Sequence, residues 1–209
     1  MGGGVTGLLV VLEGPDGVGK STQARKLAAW VESTTHRTPL LVREPGGTVV
    51  GEAVRGLLLD SSLEMTARTE MLLFAAARAE LVAGVAAPAL KAGKVVILDR
   101  YILSSLAYQG YGGGVPLDEV AEVNRLATQG LRPDATVLLM GEGHPRPGAG
   151  DRVERRSAAF HARVRAGYHA LAREVPGIRV VSGDAAEDVV HEAIVAIIQP
   201  LLESGEAPR

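Results

Sequence analysis

Gly14-Pro15-Asp16-Gly17-Val18-Gly19-Lys20-Ser21 follows directly on the apolar run Leu8-Leu9-Val10-Val11-Leu12. The eight residues fit the pattern GxxxxGK(S/T). Glycines at these places let the backbone curl around an anion, so that successive N–H groups and the next helix N-terminus point at phosphates. Lys20 adds a mobile charge and Ser21 a hydroxyl suited to Mg²⁺. A chain with 26 glycines among 209 residues meets such a pattern by accident on the order of one time in a hundred. An apolar strand before the loop and a helical pattern after it lower those odds further, so nucleotide binding is the leading reading.

Working outward, short apolar runs alternate with longer helical patterns, the signature of a parallel sheet covered on both faces. The strands predicted are Leu8–Leu12, Leu40–Arg43, Val95–Asp99, Thr136–Met140 and Ile178–Val181. Helices are predicted at Ser21–Glu32, Glu52–Leu59, Ala67–Lys91, Leu117–Gln129, Arg152–Glu174 and Ala186–Glu203. Gly84 and Pro88 predict a kink or early end in the third of these. The fold class is therefore α/β: one doubly wound, mostly parallel five-stranded sheet with helices on both faces, forming a single domain over 1–209. Gly141–Gly150, rich in glycine and proline, is expected to be a mobile lid at about 141–152.

Composition narrows the partners. Twenty-two basic and 24 acidic residues give a formal charge of −2, which offers no broad electrostatic footprint for nucleic acid or an anionic membrane. There is no cysteine, so neither disulfides nor a thiolate zinc site can form. Met1–Gly7 lack the basic start and apolar stretch of a secretory signal, and Leu81–Leu90 is too short for a bilayer. A cytoplasmic protein acting on small molecules is expected, without nucleic acid or membrane as partner.

Ligands of open α/β sheets bind beyond the carboxyl ends of the strands, and four of the five predicted ends carry polar chemistry. Asp16 lies in the phosphate loop. Arg43-Glu44-Pro45-Gly46-Gly47 makes a tight turn after the second strand and aims Arg43 and Glu44 at the crevice. Asp99-Arg100-Tyr101 follows the third, where a carboxylate can orient Mg²⁺ and an arginine can bridge phosphates. The fourth leads into the glycine-proline loop.

These residues, and others downstream, resemble the thymidylate kinase family. The resemblance is carried by Glu13-Gly14-Pro15-Asp16-Gly17-Val18-Gly19-Lys20-Ser21-Thr22, by Arg43-Glu44-Pro45-Gly46-Gly47-Thr48, by Leu73-Phe74-Ala75-Ala76-Ala77-Arg78 and by Asp99-Arg100-Tyr101 with Ser104-Ser105-Leu106-Ala107-Tyr108-Gln109-Gly110. It implies the fold of a P-loop nucleoside monophosphate kinase, a cytosolic homodimer, and the substrates dTMP and ATP with Mg²⁺ in dTTP synthesis. It implies that Gly14 to Thr22 cradle ATP, and that Ser21, Asp16 and Asp99 serve the metal. It implies further that Phe74 stacks on thymine, that Arg78, Ser105 and Gln109 contact the base with Ser104 nearby, and that Tyr108 crowds the sugar. Asp16 would meet the 3′-hydroxyl or the metal shell, Arg55 and Arg100 the monophosphate, and Arg43 and Glu44 the substrate crevice. Residues i and i+4 share a helix face, so Phe74 and Arg78 can meet the face and edge of one ring.

In-line transfer of the γ-phosphoryl follows, with Lys20, Asp16, Asp99 and Arg100 supplying position and charge. The lid departs from the resemblance: it is short and poor in helix formers, and Met140 stands near where an acidic residue is common. Arg152, in Asp151-Arg152-Val153-Glu154, is expected to serve ATP, and Arg146 to approach the transferred group. Leu103 replaces an acidic residue often found before the two serines. A switch GTPase is excluded by the absence of an Asn-Lys-x-Asp segment, and a motor ATPase is disfavoured by Arg100 after Asp99. Two alternatives remain: a non-catalytic or slow nucleotide-binding relative, and a kinase for another monophosphate. His161 and His169 read as surface or interface side chains.

Overall fold

The computed structural model describes residues 7–143 and 150–204. Strands β1 (Leu8–Glu13), β2 (Pro39–Arg43), β3 (Val95–Asp99), β4 (Ala135–Met140) and β5 (Ile178–Ser182) form one all-parallel sheet in the order β2-β3-β1-β4-β5. Central β1 is buried along its whole length, and its alternation sends side chains into two different cores. Leu8, Val10 and Leu12 pack with Leu27, Val31, Ile194 and Ile198 on one side, while Leu9 and Val11 pack with Leu81, Val82, Ala86 and Ala89 on the other. Strands apolar on both faces are what a sheet sandwiched between helices requires.

The helices are α1 (Lys20–Thr34), α2 (Val49–Leu59), α3 (Ala67–Leu81), α4 (Ala87–Lys91), α5 (Ile102–Ser105), α6 (Leu117–Thr128), α7 (Ala158–Glu174) and α8 (Glu187–Ser204). All five expected strands are present, with ends displaced by a residue at most; the helices need four corrections. The Ala67–Lys91 pattern does not stop near Gly84 but widens into a π turn, Val82–Ala86, which joins α3 to α4. Pro88 falls in the first turn of α4, where its missing N–H costs little. A second π segment, Leu106–Gly112, prolongs α5 and makes residues 102–112 helical. Helix α7 starts at Ala158, not Arg152, because Ser157 caps it, accepting from the Phe160 N–H at 3.2 Å. Before that cap the Asp151 carboxylate accepts from the N–H groups of Val153 and Glu154, closing a tight turn. Helix α2 starts earlier than Glu52, at a Thr48 cap that accepts from Gly51.

The continuous helical run Ala67–Lys91 is, by length and composition alone, long and apolar enough to cross a bilayer. Here one face of it is spent on the protein: Leu81, Val82, Ala86 and Ala89 cover the sheet, and Glu70 and Arg78 are buried in ion pairs.

Strand register brings the chemistry to one rim. Asp99 lies opposite Arg43 on one side and Leu12 on the other, so the ends of β2, β3 and β1 open side by side.

Candidate functional site

The phosphate loop leaves β1 at Gly14, whose φ is +138° and where a Cβ would stand 2.1 Å from the Leu139 carbonyl oxygen, so only glycine fits. At the far end Gly19, with φ +88°, is the N-cap of α1 and supplies no side-chain cap. The first-turn N–H groups are thus left for an anion. Lys20 is buried and donates from Nζ to the Pro15 carbonyl at 2.5 Å. Burial pushes its pKa down to about 7, helped by the positive charge of Arg100 and opposed by Asp16, Asp99 and Glu13. Ser21 Oγ donates to Asp99 Oδ2 at 2.5 Å. Val18 is anchored in the core beneath the loop, and the Thr22 hydroxyl accepts from Arg25 at 3.4 Å.

Arg100 crosses from the β3 rim to the loop. Its φ of +77° is rare for a side-chain-bearing residue, and five contacts hold it there. It donates to the Gly14 carbonyl (3.0 Å), Ser104 Oγ (3.0 Å), Tyr168 OH (3.3 Å), Asp16 Oδ1 (2.5 Å) and Tyr108 OH (3.5 Å). Asp16 also accepts from Tyr108 OH at 2.6 Å. Burial alone would raise the Asp16 carboxyl; Arg100 and Lys20 beside it, with the Tyr108 hydroxyl, hold it at about 2. Burial pushes the Tyr108 phenol up, so it stays a donor.

Glu13, fully buried, fixes this corner from below. It accepts from the N–H groups of Tyr101 (2.8 Å) and Ser104 (3.1 Å) and from Ser104 Oγ (2.6 Å), tying β1 to the start of α5.

At the opposite end of the same cleft lies a slot beside α3. Phe74 is half-buried and belongs to none of the four apolar clusters among the described residues, so it faces the cleft and not the core. Arg78 is 1% exposed. Its guanidinium donates to Glu44 Oε2 (2.6 Å), Ser105 Oγ (2.9 Å), Asn124 Oδ1 and the Tyr101 carbonyl (3.0 Å), and lies 5.3 Å from the centre of the Tyr101 ring. Burial pushes the Glu44 carboxyl up while Arg78 pulls it down. Gln109 donates to Glu70 at 2.8 Å. Arg55 reaches the Pro45 carbonyl at 2.9 Å, and exposed Arg43 pairs with Glu52 at 3.4 Å; both border the cleft. Phosphate loop, Arg100, Phe74 and Gln109 all line one open space of about 930 Å³, part of it continuous with solvent.

With this geometry in hand, comparison with known proteins is decisive. The family model for thymidylate kinase matches residues 12–194. The chain belongs to the thymidylate kinase family. The thymidylate kinase of Desulforudis audaxviator is 45% identical over 206 residues, covering 95% of this chain and 93% of that protein. That of Gloeobacter violaceus is 39% identical over 213 residues, covering 96% and 98%. The crystal structure of thymidylate kinase from Ehrlichia chaffeensis superposes with a TM-score of 0.77 at 32% identity, covering 92% of this chain and 98% of that one. The fold is that of a P-loop nucleoside monophosphate kinase.

Within this thymidylate kinase fold, Arg152, one of the two expected lid arginines, is held away from the phosphate loop. Arg146 lies outside the described residues, as does half of the expected lid, residues 144–149. Arg152 donates from Nε to the Leu58 carbonyl (2.8 Å) and from its terminal nitrogen to Glu70 (2.6 Å), so the buried carboxylate of α3 captures it. Ser105 and Gln109 are buried, not solvated, and Ser104 serves Glu13 and Arg100. Sequence reasoning assigned no role to Glu13, Glu70, Asn124 or Tyr168. Glu13 stands at the head of the phosphate loop, one step from the residues that were assigned. Asn124 sits within the helical pattern of α6, and no local signal marks it.

Proposed function

We propose that this chain transfers the γ-phosphoryl group of ATP to dTMP, releasing dTDP and ADP. The observation that carries this reading is the single cleft that joins a phosphate loop to an aromatic-walled slot, in a chain of the thymidylate kinase family. An oxygen of the dTMP phosphate attacks the γ-phosphorus in line, the bond from that phosphorus to the β–γ bridging oxygen breaks, and ADP leaves with the electron pair. The attacking oxygen is already anionic, so no general base is needed. Catalysis is then positioning and charge neutralisation.

The Gly14–Lys20 backbone and the α1 N-terminus hold the triphosphate, and Lys20 turns its ammonium from Pro15 to the β- and γ-oxygens. Arg100, anchored on Asp16 and the Gly14 carbonyl, sits between donor and acceptor phosphates, with Arg55 on the acceptor side. Phe74 stacks on the thymine. Tyr108, held at the sugar's level by Asp16, disfavours a 2′-hydroxyl.

The residues present suit Mg²⁺. The Ser21 hydroxyl and Asp99 carboxylate converge as hard oxygen donors, and among the described residues no group of three or more His, Cys, Asp or Glu side chains could hold a metal. That is the donor set of an ion completed by phosphate oxygens and water, as Mg²⁺ prefers. When bound it would supply charge neutralisation on the triphosphate.

We also propose a homodimer. Helices α2, α3 and α6 pack side by side and leave Val50, Leu57, Leu72 and Leu126 exposed, an apolar array that a second copy would cover. Sedimentation would show a dimer that Leu72→Glu splits; a monomer in the unmodified chain would contradict it.

A coupled ADP-release assay across dTMP, dUMP, UMP, CMP, AMP and GMP tests the activity, with Lys20→Ala as the control. The expected result is saturable ADP release with dTMP and little with ribonucleotides or purines. Nucleotide binding without turnover, or preferential turnover of another monophosphate, would contradict the reading.

A further inference from the structure

Glu70 lies one helical turn before Phe74 on α3 and is 1% exposed. Two donors converge on it, Gln109 Nε2 at 2.8 Å and a terminal nitrogen of Arg152 at 2.6 Å, and Arg156 forms a looser ion pair with it at 3.6 Å. A carboxylate offers acceptors only, so the Gln109 amide can meet it through its NH₂ group and in no other way. The amide oxygen is thereby turned away from Glu70. That oxygen has no hydrogen-bond partner among the described residues, it is not sealed from solvent, and Gln109 lines the cleft.

One turn earlier, Ser105 accepts from Arg78 at 2.9 Å. With that acceptor role filled by a charged donor, its own hydroxyl proton is left to donate. Arg78 cannot turn freely to a ligand, because Glu44, Asn124 and the Tyr101 carbonyl hold its other nitrogens. The wall beside Phe74 therefore presents a donor at Ser105 and an acceptor at Gln109. A 4-oxopyrimidine carries the complement, a C4 carbonyl beside N3–H. A 4-aminopyrimidine carries the reverse, an amino group beside the N3 lone pair, and would leave both wall groups mispaired.

We propose that Glu70 is a positioning residue for base specificity: it locks the Gln109 amide with its oxygen toward the cleft, so that the slot accepts a 4-oxopyrimidine and rejects a 4-aminopyrimidine. This rests on the dTMP reading above. Arg152 belongs to the device because it holds the other carboxylate oxygen, Oε2, while Arg156 lies beside the Oε1 that Gln109 meets.

The test compares dissociation constants for dTMP and dCMP by calorimetry in the full chain, in Glu70→Gln and in Gln109→Met, alongside dTMP turnover. A glutamine at 70 can donate as well as accept, so the Gln109 amide is free to flip. The ratio of the dCMP to the dTMP dissociation constant is expected to fall by about tenfold in each variant. The loss should come from weaker dTMP binding, and in Glu70→Gln kcat at saturating dTMP should stay within about twofold of the parent, since no group that touches the substrate is removed. Should Glu70→Gln not fold, Glu70→Asp decides: it keeps a charge for Arg152 and withdraws it from Gln109. An unchanged ratio in the variants, or equal weakening for both nucleotides, would overturn the inference while leaving a dTMP kinase. Failure of the unmodified chain to phosphorylate dTMP would overturn the reading beneath it.

Discussion

At the phosphate end of the cleft the Lys20 and Ser21 side chains each make one hydrogen bond among the described residues, to the Pro15 carbonyl and to Asp99; at the base end Arg78 has every guanidinium nitrogen engaged by Glu44, Ser105, Asn124 and Tyr101. The first end is left for its ligand to complete, and a buried ammonium there is held near neutrality at about 7. At the second the guanidinium is fully engaged without a ligand. An ion that must follow a moving phosphoryl group is best kept loosely tied, whereas a slot that must tell one ring from another is best built rigid.

Breaking the base end should cost the fold most. Arg78→Met leaves the Glu44 carboxylate buried without its partner, a situation worth about 3–5 kcal/mol. Thermal denaturation should show Tm lower by about 10 °C, on the scale of 2–4 °C per kcal/mol for a chain of this size; an unchanged Tm would deny that the slot is prebuilt. Breaking the phosphate end should spare the fold and remove the chemistry. Lys20→Ala is expected to lower turnover by about 10²–10³-fold, as loss of a charge-stabilising donor does, with dTMP affinity retained; steady-state kinetics separate the two.

The half-buried ring between these extremes should report on binding alone. Phe74→Ala is expected to weaken dTMP about tenfold, from lost stacking, with Tm nearly constant because the ring supports no core cluster. A large fall in Tm would place Phe74 in the core after all.

A proton count sharpens the contrast. Polyphosphate favours the charged form of Lys20, so its pKa rises from about 7 when ATP binds. Below pH 7 the group is already protonated and nothing is taken up. Above it, binding draws in a proton and affinity falls as pH rises. Calorimetry at pH 8 in buffers of different ionisation enthalpy should show nearly one proton more for the parent than for Lys20→Ala. Equal uptake would mean that Lys20 does not meet the phosphates. The smallest effect is expected of Arg146→Ala, a few-fold fall in turnover that exceeds any change in dTMP affinity.

The same contrast explains what could be read from the sequence. The phosphate loop is a local object: glycines, lysine and serine within eight residues specify backbone shape and charge together, and the apolar strand before it sets the sheet. Strand ends at Arg43 and Asp99 were legible for the same reason. The base end is assembled from α3, α5 with its π segment, α6 and the turn at 151–156, and its bonds join residues distant in the chain. Glu44 to Arg78, Arg78 to Asn124 and Glu70 to Arg152 span 34, 46 and 82 positions. No window on the sequence contains such a pair. Arg152 shows the consequence, since its segment pointed to the lid while a buried carboxylate from another helix claims it. Helix α7 begins six residues later than the expected Arg152 because Ser157, inside the expected helix, caps it instead.

A crystal structure of the chain with dTMP and ADP bound would test the central claim most directly. The account predicts one cleft holding both, with the ADP phosphates in the Gly14–Ser21 loop, the dTMP phosphate at Arg100, and the thymine stacked on Phe74 with its O4 and N3 facing Ser105 and Gln109. A thymine bound elsewhere, or a Phe74 ring turned into the helix layer with dTMP present, would contradict it.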